Sequence, residues 1–134
     1  MTPEVVRAWI LLSIPKQGGG LTAIMWTADG INKAIPERAE LSDSLGWLRA
    51  AGLIEVAGSS YQRSVAGDDL MARCELDVEY IFDVWDKATE LLAQVELSEY
   101  EPVSISETDF KIAHAKYQQE FWQLYKQLEQ RDEQ

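Results

Sequence analysis

The chain has 134 residues, of which 46% are apolar, a formal net charge of −11 and a single cysteine, Cys74. This length predicts one domain, or one domain with an extension, and suffices to bury a core. One cysteine excludes an intrachain disulfide and a thiolate metal cluster, and no apolar run is long enough to span a bilayer. We therefore expect a cytoplasmic protein with no membrane partner.

The charge is distributed unevenly along the chain. Residues 1–67 hold six basic and six acidic side chains, so residues 68–134 hold the other six basic and seventeen acidic ones, and with them the whole net charge. We divide the chain accordingly into a neutral domain over 1–67 and an acidic helical extension over 68–134. Phosphate contacts drive most nucleic-acid affinity, so the acidic half is excluded as a nucleic-acid-binding face.

Three short helices are predicted in the first fifty residues. Thr2-Pro3-Glu4 is a typical helix start, and Pro15 follows the end of the first helix. Thr22 is a candidate cap for the second helix, and Ile35-Pro36 marks the boundary before a third helix that runs to about Ala51. Each helix carries one tryptophan among its apolar residues, and we expect the three to fill one core: Trp9, Trp26 and Trp47.

Glycines separate the elements of this first half. The loop at residues 16–20 lacks a preceding strand and a following Gly-Lys-Ser/Thr, which favours a plain connector over a phosphate-binding loop. Gly52 is placed to be the left-handed residue that closes the third helix. Leu53 to Val56 then reads as a strand, residues 57–60 as a tight turn, and Tyr61 to Arg63 as the returning strand.

Three helices followed by such a hairpin resemble the winged-helix superfamily of bacterial regulators, broadly the MarR and PadR type. The residues Ile31 to Pro36, the acidic stretch Glu37 to Glu40, and Leu48 to Ile54 look more closely like a group of uncharacterised small bacterial winged-helix proteins. The resemblance covers about the first half of the chain. It implies an α+β, mainly α fold, in which three helices and a small β-hairpin wing precede two long C-terminal helices.

The resemblance also implies a DNA-binding face. In DNA-binding members the third helix enters the major groove and the wing touches phosphate. Carried over by position, the DNA-binding candidates are Arg38, Ser42 and Arg49 on the third helix and Arg63 on the wing. Because Glu37, Glu40 and Asp43 share that helix, we expect any binding of double-stranded DNA to be weak and strongly salt-sensitive.

After the hairpin, the apolar spacing predicts one long helix over residues 69–96, capped by Asp68-Asp69. Its apolar positions alternate three and four residues apart, which is the seam of a coiled-coil-like helix. Such a seam must be covered by the first domain, by the last helix or by a second subunit, and we expect a homodimer. The dimerisation candidates are Met71, Val78, Ile81, Trp85 and Leu92.

A connector over 97–106 and a final helix over 107–130 complete the chain. Ser106 and Asp109 approximate a capping box at the start of that helix, and residues 130–134 are expected to fray. Phe121, Leu124 and Leu128 share one side of the helix, where Trp122 and Tyr125 add aromatic surface.

Two functions of different classes remain open from the sequence. The first is a winged-helix DNA-binding, transcriptional-regulator-like protein, and the second is a protein–protein interaction module that uses the same scaffold without binding DNA. The chain contains no nucleophile elbow, no paired metal ligands and no phosphate loop, so we expect no catalytic residues, no metal and no cofactor.

Overall fold

The computed structural model describes residues 1–132 and is mainly helical, with one small antiparallel hairpin. The α+β, mainly α fold class is therefore confirmed. The elements in chain order are α1 (Pro3–Ser13), α2 (Leu21–Asn32), α3 (Arg38–Ala50), β1 (Ile54–Ala57), β2 (Ser60–Arg63), α4 (Val65–Glu75), α5 (Ile81–Ala93) and α6 (Glu107–Asp132). The fraying expected over residues 130–134 is wrong up to Asp132, where α6 is still helical, and residues 133 and 134 lie outside the described residues.

Local signals set the ends of the first three helices. Thr2 caps α1 through its side chain, which accepts a hydrogen bond from the backbone N–H of Val5. Glu37 and Glu40 form a reciprocal capping box at the start of α3. The predicted cap at Thr22 is wrong, because Gly20 is the N-cap of α2 and the Thr22 hydroxyl donates instead to the carbonyl of Ala113.

The hairpin follows the predicted order. Gly52 has φ +75° and closes α3, as expected. Gly58 has φ +61° at the first position of a two-residue loop, where a type II′ turn requires glycine. The glycine-rich loop between α1 and α2 joins this sheet, because the Gly19 backbone exchanges hydrogen bonds of 2.9 and 2.8 Å with Tyr61. That loop is therefore a structural partner of β2 as well as a connector.

The single long helix predicted over residues 69–96 is wrong. The helix begins at Val65, where Ser64 and not Asp68 is the cap, and it ends at Glu75. Asp77 then adopts φ +60°, a left-handed conformation that aspartate tolerates better than most residues. The chain reverses there, and α5 packs against both α4 and α1. Three helices, not two, follow the hairpin.

One hydrophobic core joins both halves of the chain. It contains side chains of α1, α2, α3 and the hairpin together with residues of α4, α5, α6 and the 97–106 connector. Trp9 and Trp47 are buried in it, as expected. Trp26 is only half-buried and stacks edge-on against Tyr117 of α6, with ring centroids 4.9 Å apart, so it belongs to the α2–α6 contact and not to the three-helix centre.

Candidate functional site

The outward face of α3, where the resemblance places DNA contacts, lies against residues 97–106, which we call the strap. Ser42 pairs with Val103 in both directions: the Ser42 hydroxyl donates to the Val103 carbonyl at 2.6 Å, and the Val103 N–H donates to the Ser42 carbonyl at 2.9 Å. The side chains of Val103 and Ile105 are buried in the core. The strap is thus packed onto α3 by hydrogen bonds and apolar burial together.

Glycine at position 46 allows the strap to approach this closely. A Cβ added there would lie 2.2 Å from the Glu101 carbonyl oxygen and 2.6 Å from the Pro102 Cα. Real Cβ atoms essentially never show contacts under 3.0 Å. The strap backbone therefore rests directly on the backbone of α3, and no side chain at position 46 fits between them.

The two basic DNA-binding candidates on α3 also contact the strap. Arg38 donates to the Ile105 carbonyl at 3.1 Å and lies 3.7 Å from the carboxylate of Glu107. Arg49 donates to the Glu101 carbonyl at 3.4 Å. The structure thus brings Arg38, Ser42 and Arg49 together on one face, where each donates one hydrogen bond to a strap carbonyl.

A half-buried cluster anchors the start of the strap. The Tyr100 hydroxyl donates to Asp43 at 2.5 Å and accepts from Arg7 of α1 at 3.2 Å. The Arg7 guanidinium lies 4.7 Å from the ring centroid of Trp47, a cation–π distance. The hydrogen bond to Asp43, followed by burial, raises the pKa of Tyr100. These contacts join α1, α3 and the strap into one unit.

Arg63, the fourth DNA-binding candidate, is directed toward the protein interior and away from the tip of the hairpin. Its Nη1 donates to the Ile14 carbonyl at 2.9 Å, at the end of α1, and its Nε pairs with Asp68 at 3.0 Å. The side chain is only 11% exposed. Arg63 therefore ties the hairpin to α1 and the start of α4.

The dimerisation candidates are mostly core residues of a single copy. Met71, Trp85 and Leu92 are buried, and the Trp85 indole donates to the Val5 carbonyl of α1 at 2.8 Å. Val78 is half-buried, and Ile81, 44% exposed, lies at the start of α5. The three-and-four spacing thus reflects two short helices that both bury apolar residues in one core.

Apart from exposed side chains around the α4–α5 turn, among them Leu76, Tyr80 and Phe82, the main group of exposed apolar side chains lies on the last turns of α6. Five large side chains there are each between 41% and 57% exposed, and we call them the aromatic end: Phe121, Trp122, Leu124, Tyr125 and Leu128. Their spacing of three, four and seven residues was visible in the sequence. The sequence did not show that this half of the helix extends beyond the body that covers the other half.

Other parts of the surface carry little chemistry. A groove of about 700 Å³ opens between the start of α2, the hairpin tip and α6, and it is lined by both charge signs, including Asp109, Lys116 and Glu120. Within residues 1–132, no group of three or more His, Cys, Asp or Glu side chains is placed to hold a metal ion. In the same range, no helix is both long and apolar enough to cross a bilayer.

Comparison of the chain with protein families, curated proteins and solved structures finds no match. No relative supplies a function by analogy, so side-chain geometry and charge are the basis for one.

Proposed function

We propose that this chain is a non-catalytic protein-interaction module on a winged-helix-type scaffold, in which α3 is a structural helix and not a DNA-reading one. The observation that carries the proposal is the strap on α3. A helix that enters the major groove must present its outward face to base edges and its basic side chains to phosphate. Here the middle of that face, at Ser42 and Gly46, is covered by residues 97–106 of the same chain, and the exposed Arg38 and Arg49 at its ends donate to the strap.

Charge supports the same proposal. DNA binding gains most of its free energy from Lys and Arg side chains that neutralise phosphates. Arg38 and Arg49 already donate to strap carbonyls, and Arg63 is paired inside the protein. The strap itself is acidic, and the whole chain carries −11, so the field around α3 repels a polyanion.

The aromatic end of α6 is the candidate surface for binding a protein partner. Trp, Tyr and Phe are enriched at protein interfaces, where they contribute much of the binding energy. Phe121, Trp122 and Tyr125 lie within a five-residue stretch of α6 and are all exposed. A contiguous patch of this kind on a soluble protein marks an interaction site.

The first experiment tests whether the chain binds DNA. Fluorescence anisotropy with mixed-sequence duplexes at low salt, followed by a genomic selection for bound fragments, measures DNA binding by the wild type. The variant Arg38→Ala/Arg49→Ala removes the candidate phosphate contacts, and Arg73→Ala/Lys111→Ala removes the same charge elsewhere as a matched control. We expect no binding by any of the three proteins. Salt-sensitive binding that only the first variant loses would replace our proposal with the DNA-binding regulator.

A second measurement addresses the interaction surface directly. A photo-reactive phenylalanine at Tyr125 lies in the aromatic end, whereas the same group at Gln123 lies on the opposite side of α6. We expect protein adducts from position 125 that disappear when Leu124→Glu is added, and none from position 123. Equal yields from both positions would contradict a specific docking surface.

A further inference from the structure

The aromatic end continues a contact that α6 already makes within the chain. Through its first half, α6 packs along α2: Thr22 donates to the Ala113 carbonyl, Trp26 donates to Glu120 at 2.8 Å, and Tyr117 donates to Asp29. The apolar positions of this face follow heptad spacing: Phe110, Tyr117, Phe121, Leu124 and Leu128. The first two are half-buried or buried, whereas the last three are exposed. The seam thus becomes exposed beyond Tyr117, although the Phe121 ring still lies 6.2 Å from that of Trp26.

The exposed area suits a small two-fold interface. An aromatic side chain presents roughly 150–250 Å² when fully exposed. The five side chains of the aromatic end are each about half exposed, so together they present on the order of 500 Å². Two such patches facing each other would bury about 1,000 Å² before any polar rim is added, which is the lower bound for a specific but weak interface.

Charge also favours a second copy at this place. The chain as a whole carries −11, so most of its surface repels another copy. Residues 117–131 are different, because Glu120 and Glu129 are balanced by Lys126 and Arg131. The exposed apolar side chains of the aromatic end therefore lie on a segment with little net charge, where two copies meet with less repulsion than over the rest of the chain.

We propose that a second copy of this chain covers the aromatic end, and that the two α6 helices pair antiparallel about a two-fold axis near Lys126. This proposal rests on the proposed interaction function and names its partner. With the axis at that position, Leu124 of each copy lies opposite Leu128 of the other, and Phe121 lies opposite Arg131, whose guanidinium can stack on the ring. The contact is isologous and closes as a dimer.

The antiparallel direction follows from the folded bodies at the start of each α6. A parallel pair would place two folded bodies side by side, each with a net charge of −9 over residues 1–116. An antiparallel pair places them at opposite ends of the contact, so the longer separation and the surrounding salt weaken their repulsion. The remaining repulsion predicts that added salt strengthens the dimer, whereas it would weaken binding to DNA.

Self-association is measured on the full chain by sedimentation velocity over a concentration series. We expect a reversible monomer–dimer equilibrium for the wild type and a loss of at least about tenfold in association constant for Leu124→Glu/Leu128→Glu, since the apolar centre of the interface is removed. The matched control Gln123→Glu/Gln130→Glu adds the same charge on the opposite side of the helix and should dimerise as the wild type does. Circular dichroism verifies that each variant remains folded.

Helix direction is measured with spin labels at positions 119 and 126, in a Cys74→Ser background. The two positions are seven residues apart and occupy the same heptad position, so they differ only along the helix axis. An antiparallel pair with its axis near Lys126 separates the two labels at 119 by about 21 Å along that axis, at 1.5 Å per residue, and those at 126 by none. Equal distances at both positions would show a parallel pair and overturn the proposal.

The failures of the two proposals are distinguishable. A wild type that stays monomeric at every concentration and salt level, or a dimer that Leu124→Glu/Leu128→Glu does not weaken, overturns the second-copy proposal and leaves the DNA result untouched. DNA binding that depends on Arg38 and Arg49 overturns the proposed function, whatever the state of association. Adducts from position 125 with a different protein, in a chain that stays monomeric, would assign the aromatic end to another partner.

Discussion

Replacing Gly46 by alanine tests whether the strap rests on α3. The added Cβ would lie 2.2 Å from the Glu101 carbonyl oxygen, whereas ordinary van der Waals contact begins at 3.4 Å. Both nearest groups are backbone, so neither can rotate away. The strap therefore has to retreat by about 1 Å, the difference between these two distances, which is enough to break the paired hydrogen bonds between Ser42 and Val103.

The expected cost combines three terms. Overpacking a well-packed contact costs about 1–3 kcal/mol. The two lost hydrogen bonds cost about 1 kcal/mol each. Alanine in a helix interior recovers up to about 1 kcal/mol relative to glycine. We expect Gly46→Ala to lower the free energy of unfolding by about 2–4 kcal/mol.

Gly30 provides a matched control in α2. It is exposed, and a Cβ added there would meet nothing within 4 Å. Gly30→Ala should therefore stabilise the protein by up to about 1 kcal/mol. Urea denaturation measures both variants, and hydrogen exchange of the Val103 amide reports on the strap itself. If Gly46→Ala stabilises as Gly30→Ala does, and the Val103 amide stays protected, then the strap does not pack on α3.

Three other predictions concern stability. Trp47→Ala removes a buried ring and a cation–π partner and should cost about 3–5 kcal/mol by urea denaturation; an unchanged midpoint would contradict its burial. Arg63→Ala should cost about 1–3 kcal/mol by the same measurement, because it removes charged hydrogen bonds to Asp68 and to the end of α1, and an unchanged midpoint would show that those bonds do not form. Burial and the hydrogen bond to Asp29 raise the pKa of Tyr117 from 10.0 to about 12. The neutral phenol thus stabilises the folded state. Its contribution is complete below the pKa that tyrosine has in the unfolded chain, and it is lost as the pH rises through the raised pKa of the folded state. The difference in free energy of unfolding between wild type and Tyr117→Phe should therefore narrow as the pH rises from 10.0 to about 12. A difference that stays constant over this pH range would contradict the raised pKa.

The sequence alone determined the elements whose ends are encoded locally. Thr2 and Pro3 start a helix, Gly52 closes one by its left-handed conformation, and Gly58 makes a two-residue turn. Ser106 likewise accepts the Asp109 N–H at 3.0 Å, as its capping pattern indicated. Each signal acts within four residues, because a cap or a turn satisfies its own backbone groups. This is why the three helices, the hairpin and the start of α6 could be read from residue order.

What each face of those elements contacts depends on how the chain packs in three dimensions. The partners of Arg38, Ser42 and Arg49 are backbone carbonyls fifty or more residues away along the chain. Because every residue has a backbone carbonyl, residue types do not reveal which carbonyl will be the partner. The heptad spacing over 69–96 fits one long helix as well as it fits two short ones on a common core, and the reversal at Asp77 decided between them. Periodicity specifies which side chains must be covered, whereas the path of the chain decides what covers them.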